Sequence, residues 1–173
     1  MSFPIEKQLE SEWCWAAVSC TTDHFFDTAS TLTQCTIATE VLNPLNCCGG
    51  DAEKCNQAMR LQDALQPIGR LGNTIEGSLP FLELKSEIDA DRPVAVRIAW
   101  FGGGAHFVLI CGYELMQSGT RILQIADPFY GDEVDNQYFG IWEIDYDLFP
   151  ESYQDGGDWT TTFFVTRKPG EHP

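Results

Sequence analysis

Apolar positions along this chain keep one period up to about residue 93 and another after it. Trp13, Ala16, Ala17, Cys20 and His24 recur at helical spacing between Trp13 and Phe26, with Ser11 or Glu12 near the cap. A Thr-rich turn over 28–33 precedes Ile37, Val41 and Leu42, which predict a short helix stopped by Pro44. Residues 47–50 read as a loop, and 52–65 as a helix whose apolar side is Ala58, Met59, Leu61 and Leu65. Ser78 is placed to cap a further helix, with Pro80 in its first turn, running to about Asp89. Beyond Pro93, Val94, Val96, Ile98 and Trp100 alternate, the signature of a strand. Three glycines at 102–104 make a sharp turn into a second strand, 105–114, with His106, Val108, Ile110 and Gly112 on one face. A Gln117-Ser118-Gly119 turn leads to a third strand over 121–126, ended by Asp127-Pro128, and two more strand signals lie at 138–144 and 160–167. Helices first and an antiparallel sheet second make an α+β plan. One domain is expected over 1–173, with a helical half at about 1–90 and a sheet half at about 91–168.

Charge narrows the partners. The chain has 10 basic and 26 acidic side chains, a formal net charge of −16. Nucleic acid is excluded as a partner, because phosphate contacts need clustered Lys and Arg. Anionic membrane surfaces are disfavoured for the same reason, and no stretch approaches the roughly 18 apolar residues of a membrane span. Nine of the acids (Asp132, Glu133, Asp135, Glu143, Asp145, Asp147, Glu151, Asp155 and Asp158) fall between 132 and 158 without one Lys or Arg. A solvated surface is the ordinary reading of such a run. The alternative is a cleft rim that attracts a basic peptide, with Phe129, Tyr130 and Trp142 as nearby apolar subsites.

Cysteine chemistry is the strongest local signal. The seven cysteines lie at 14, 20, 35, 47, 48, 55 and 111, and their odd number leaves at least one outside any disulfide framework. Cys14 opens a helix, where free N–H groups and the dipole favour thiolate. Beside an imidazole, such a thiol becomes a nucleophile. His106 follows the glycine turn, whose open backbone, Gly104 included, leaves room for a substrate. Asp127 closes the next strand, so hairpin pairing brings imidazole and carboxylate together and the carboxylate can orient the ring.

With those residues in hand, the chain resembles the papain-like cysteine peptidases, most closely the bacterial group typified by the AvrRpt2 effector. The resemblance rests on Gln8 placed before Trp-Cys-Trp-Ala-Ala, on Gly-Gly-Ala-His-Phe-Val and on Ala-Asp-Pro-Phe-Tyr-Gly, in the order Gln, Cys, His, Asp. It implies a papain-like fold, with a helix carrying the nucleophile packed on a C-terminal antiparallel sheet. It also implies a peptide or protein substrate cut through a thioester, no cofactor and no metal, and a monomer. Carried over, Cys14 is the nucleophile, His106 the base and later the acid, Asp127 the residue orienting His106 and Gln8 the oxyanion donor. Trp13 and Trp15 would shield the sulfur, and Trp13, Trp15, Gly104 and Trp142 are the candidate substrate-binding residues.

The segment holding Cys35, Cys47, Cys48 and Cys55 occurs in members of that group and implies one or two disulfides, with pairing open. A zinc site competes with that reading, weakened because no CxxC pair is present. Cys20 and Cys111 are expected to be buried and inert, His24 to complement a helix end, and His172 to lie in a mobile tail. Only 13 residues precede Cys14 and no secretory signal is visible, so no pro-segment is expected. The protein would then be cytoplasmic or exported without a classical signal. A peptidoglycan amidase, a transglutaminase-like acyl transferase and a catalytically silent binding module remain the alternatives.

Overall fold

A computed structural model describes residues 3–129 and 140–171. In chain order its elements are helices α1 (Cys14–Phe26) and α2 (Gln34–Val41), a 3₁₀ turn (Ala52–Cys55), helix α3 (Leu61–Leu65), strand β1 (Leu71–Glu76) and helix α4 (Phe81–Asp89). Strands β2 (Val94–Trp100), β3 (Ala105–Leu115), β4 (Arg121–Ala126) and β5 (Ile141–Asp145), a 3₁₀ turn (Tyr146–Leu148) and strand β6 (Gly157–Val165) complete it. The strands form one sheet in the order β1-β6-β2-β3-β4-β5, with every neighbouring pair antiparallel. The fold is α+β, as the change of period predicts. No helix among the described residues is long and apolar enough to cross a membrane.

The sheet buries both faces. Ala95, Phe107, Leu109, Phe163 and Val165 share one core with α1, α2 and α3. Val94, Val96, Ile98, Val108 and Ile110 share the other with α4 residues Phe81 and Leu84 and with Phe149 and Trp159. Thus α4 belongs to the far face, and the helical layer over the first face is α1–α3.

Helix α1 is buried from Cys14 to Asp23. A helix enclosed on all sides must satisfy its own polar side chains. Ser19 and Thr22 do so by donating to the carbonyls of Trp15 and Val18 at 2.8 and 2.7 Å. Helix α2 begins with a reciprocal Thr33–Thr36 capping box and ends at Val41, ahead of Pro44.

Two expectations need correction, and one strand gives no signal in the sequence. Residues 52–65 do not form one helix. The Cys55 and Gln57 carbonyls accept the indole N–H groups of Trp13 and Trp15, at 2.7 and 2.9 Å, so this stretch serves α1 instead, and helix resumes only at Leu61. Ser78 does not cap α4, which starts after Pro80 without a side-chain cap. Strand β1 gives no alternating signal, because Gly72 and Asn73 break it; it exists by pairing with β6. The fourth predicted strand appears as β5 within the described residues, while its first positions, Tyr138 and Phe139, lie outside them together with Tyr130, Asp132, Glu133, Asp135 and His172.

A buried ionic cluster fastens α1 to the start of β1 and to the C-terminal segment. Asp23 and Arg70 are both fully buried, 2.6 Å apart, and Asp23 also accepts from Ser30 at 2.5 Å and Lys168 at 2.8 Å. Arg70 spends its other donors on Glu171, at 2.8 Å for Nη2 to Oε1. Burial alone would raise the Asp23 carboxyl, but hydrogen bonds from Lys168, Ser30 and Arg70 outweigh it and hold the group below its usual range. Removing Arg70 leaves the fully buried Asp23 with Lys168 as its remaining cation among the described residues and strips Glu171 of its guanidinium. Arg70→Met is therefore expected to cost about 3–5 kcal/mol of unfolding free energy, read from guanidinium unfolding midpoints. Lys85→Met, which breaks the exposed pair with Asp89, should barely move that midpoint.

Candidate active site

The site forms where the first turn of α1 meets the sheet. Trp13 holds the N-cap position without a side-chain cap, and Cys14 is the first helical residue, so its N–H has no acceptor among the described residues. This turn is braced from behind. Besides the two indole bonds, Glu12 N–H donates to Asn56 Oδ1 at 2.9 Å and Asn56 Nδ2 to Ser11 Oγ at 2.9 Å. Disulfides Cys35–Cys48 and Cys47–Cys55 hold the loop that carries Asn56. Of the one or two disulfides implied, two are present, and the competing zinc reading of these four thiols is overturned by their pairing.

Register delivers the other two residues. Leu109 of β3 pairs with Ala126 of β4, so Asp127 emerges beside the start of β3. There His106 Nε2 lies 2.7 Å from Asp127 Oδ1. Asp127 has no exposed surface, and a buried carboxylate needs donors on each lone pair. It has them: Phe129 N–H also donates to Oδ1 at 2.8 Å, while Tyr153 Oη and Gln154 Nε2 both donate to Oδ2 at 2.6 Å. The His106 ring is stacked on Trp100 with centroids 6.0 Å apart and meets the edge of Phe129 at 6.3 Å.

Burial by itself would push the His106 imidazole down. Hydrogen bonding and charge from Asp127, and then from Cys14, reverse this and raise it from 6.5 to about 9. Asp127 is moved the opposite way: burial raises it, but His106, Tyr153 and the Phe129 N–H hold it below the usual carboxylate range. Cys14 and His106 face one cleft of about 1300 Å³, between the helical layer and the sheet.

A family model for the papain-like cysteine protease AvrRpt2 matches residues 1–138. The chain belongs to this family of papain-like cysteine proteases. No curated protein matches it.

Against the family's residues, the structure brings Gln8, Cys14, Trp15, Gly104 and His106 onto the cleft wall, with Asp127 buried behind His106. Gln8 is tied to the site by its backbone N–H, which donates to the Pro128 carbonyl at 2.8 Å. Its side-chain Nε2 donates to the carbonyls of Glu10 and Ser11, at 2.9 and 2.7 Å, and its Oε1 is buried without a partner. Gly103 and Gly104 take φ of 96° and 82°, values that a Cβ would resist. Trp13 is core rather than cleft wall, and Trp142, on β5, is not among the residues lining the cleft. Of the acidic run's described members, Asp155 lines the cleft, and Asp147 pairs with Arg121.

The other two thiols are set apart. Burial and the carboxylate of Glu6 push Cys20 far up, and burial pushes Cys111 up to about 12. Among the described residues, Glu6, Cys20 and His24 form the one group spaced for a cation, with ligand atoms within 4.8 Å. Glu6 there is already engaged by His24 Nδ1 at 2.6 Å, so His24 has a carboxylate partner as well as its place in the last helical turn.

Trp100, Tyr153 and Gln154 are invisible to a reading of local motifs. The two that hold Asp127 follow it by 26 and 27 positions, in a turn-rich stretch with no periodicity. Because Asp127 raises the imidazole, His106 is expected to titrate near pH 9 in the wild type and at clearly lower pH in Asp127→Asn, followed by NMR of the ring carbons. The charge-paired form contributes stability below the ordinary imidazole value of 6.5 and loses it as pH rises through about 9.

Proposed function

We propose that the protein is a cysteine endopeptidase, in which Cys14, His106 and Asp127 act as nucleophile, base and orienting carboxylate. The observation that carries this is that Cys14, at the open start of a helix, shares one cleft with an imidazole held at 2.7 Å by a fully satisfied buried carboxylate. With Nε2–H donated to Asp127, Nδ1 is left to take the Cys14 proton. The sulfur attacks the peptide carbonyl, and the oxyanion is received by the unoccupied Cys14 N–H. Gln8 supplies a second donor when the oxyanion draws Nε2 away from one of its two backbone carbonyls. His106 then protonates the leaving amine as the thioester forms. A water that gives its proton to His106 attacks the thioester, releasing the acid and restoring the thiol. Trp15, Trp100, Gly104 and Phe129 line the cleft around this chemistry, and the substrate is a protein or peptide.

Digestion of a peptide library, followed by mass spectrometry, provides the test. Cys14→Ala is expected to lower cleavage by about 10⁴-fold or more, and cleavage that survives the substitution would sink the mechanism. Gln8→Ala is expected to lose about 10²–10³ in kcat with folding unchanged. Wild-type Cys14 should also be alkylated by iodoacetamide far faster than Cys20 or Cys111, and equal rates would count against an activated thiol.

A further inference from the structure

We propose that Arg97 forms a subsite in the cleft for a carboxylate side chain of the substrate. That the ligand is a peptide rests on the peptidase reading; the chemistry of the subsite rests on the arrangement around Arg97.

The register of the sheet lays one row of residues across the cleft floor. Glu76 of β1 pairs with Thr161 of β6, Thr161 with Arg97 of β2, and Arg97 with Phe107 of β3. All four line the cleft. Phe107 follows His106 in sequence, and neighbouring strands are about 4.8 Å apart. The Arg97 backbone is therefore one strand from the strand that carries the imidazole. An extended substrate advances about 3.3 Å per residue, so the side chain that reaches Arg97 belongs to a residue within about two positions of the scissile bond.

Among the described residues, Arg97 is the cation of this cleft that has no ion-pair partner. The chain has 26 carboxylates for 10 lysines and arginines, and seven of those ten are ion-paired among the described residues. The cleft's other arginine, Arg60, is held by both oxygens of Asp63, at 2.9 and 3.0 Å. Arg97 makes no ion pair within the described residues, and its Nη1 donates to the neutral Thr160 Oγ1 at 2.9 Å. Glu76 stands two strands away on the exposed edge. A guanidinium has five N–H donors, so enough remain for a two-point grip on a carboxylate. Phe107 and Phe163 border it and strengthen such a contact by excluding water. Elsewhere the charge of −16 repels anions, so a substrate carboxylate is tolerated at this place and disfavoured at others.

The test uses peptide pairs that differ only as Asp against Asn, within two positions on either side of the cleaved bond, all amidated at the C-terminus. Binding is measured with Cys14→Ala, by the fluorescence of the cleft tryptophans, and kcat/KM with otherwise wild-type protein. If no bond is cut, the pairs are built on a peptide that Cys14→Ala selects from a library. The Asp peptide is expected to bind about tenfold tighter than its Asn twin, and the ratio should fall to about one when Arg97→Met is added. Arg97→Gln, which keeps a donor for Thr160, should give the same loss if Arg97→Met fails to fold. Equal binding of the twins, a ratio that survives both variants, no measurable binding of either, or a preference seen only for a free C-terminal carboxylate would overturn the subsite. Cleavage without discrimination would overturn the subsite and leave the peptidase reading standing. Discrimination in binding without cleavage would do the reverse.

Discussion

The Asp127 carboxylate organises this molecule's chemistry. A fully buried charge is stable only if surrounding groups donate to it, and the donors here come from three places: the start of β3, the turn after β4 and the loop before β6. Satisfying one side chain therefore fixes where His106 stands, where the chain turns after Pro128, and how the Tyr153–Gln154 loop folds back. The same carboxylate sets the protonation of the ring, since it holds a positive imidazole against the cost of burial. Geometry and charge are consequently not separable at this site.

Opposite Asp127, the start of α1 is held by groups that do no chemistry. The helix has no room to move laterally, because its sides are core from Cys14 to Asp23. Its first turn is stopped from behind by the 55–57 carbonyls and by Asn56, on a segment adjoining two disulfides. Its far end is anchored through Asp23 to Arg70 and Lys168. A helix restrained along its whole length can leave its leading N–H groups without partners, which a freer helix would satisfy by fraying or capping. That open end is what faces the cleft.

Much of this was legible in the amino-acid order. Helix α1, strands β2, β3 and β4, and the convergence of His106 with Asp127 follow from local periodicity and hairpin register, because side-chain period and short turns are properties of neighbouring residues. The family was legible in the blocks around Gln8, Cys14, His106 and Asp127. Strand β1 was not, because Gly72 and Asn73 give it no pattern and its only reason to be extended is β6, some ninety positions later. The 52–65 stretch departs from its pattern for a related reason: its apolar spacing suits a helix, but the indoles of Trp13 and Trp15 claim its carbonyls.

The sequence by itself determined the residue types capable of the proposed reaction, their order, and the class of fold that brings the ends of two strands together. Only the tertiary structure decided which thiols pair, which groups satisfy Asp127, and that Arg97 lines the cleft beside Phe107 with no ion-pair partner among the described residues. The physical reason is range. Periodicity and turns act over a few residues, whereas satisfying a buried charge, or leaving one unpaired, depends on everything the folded chain places within a few ångströms.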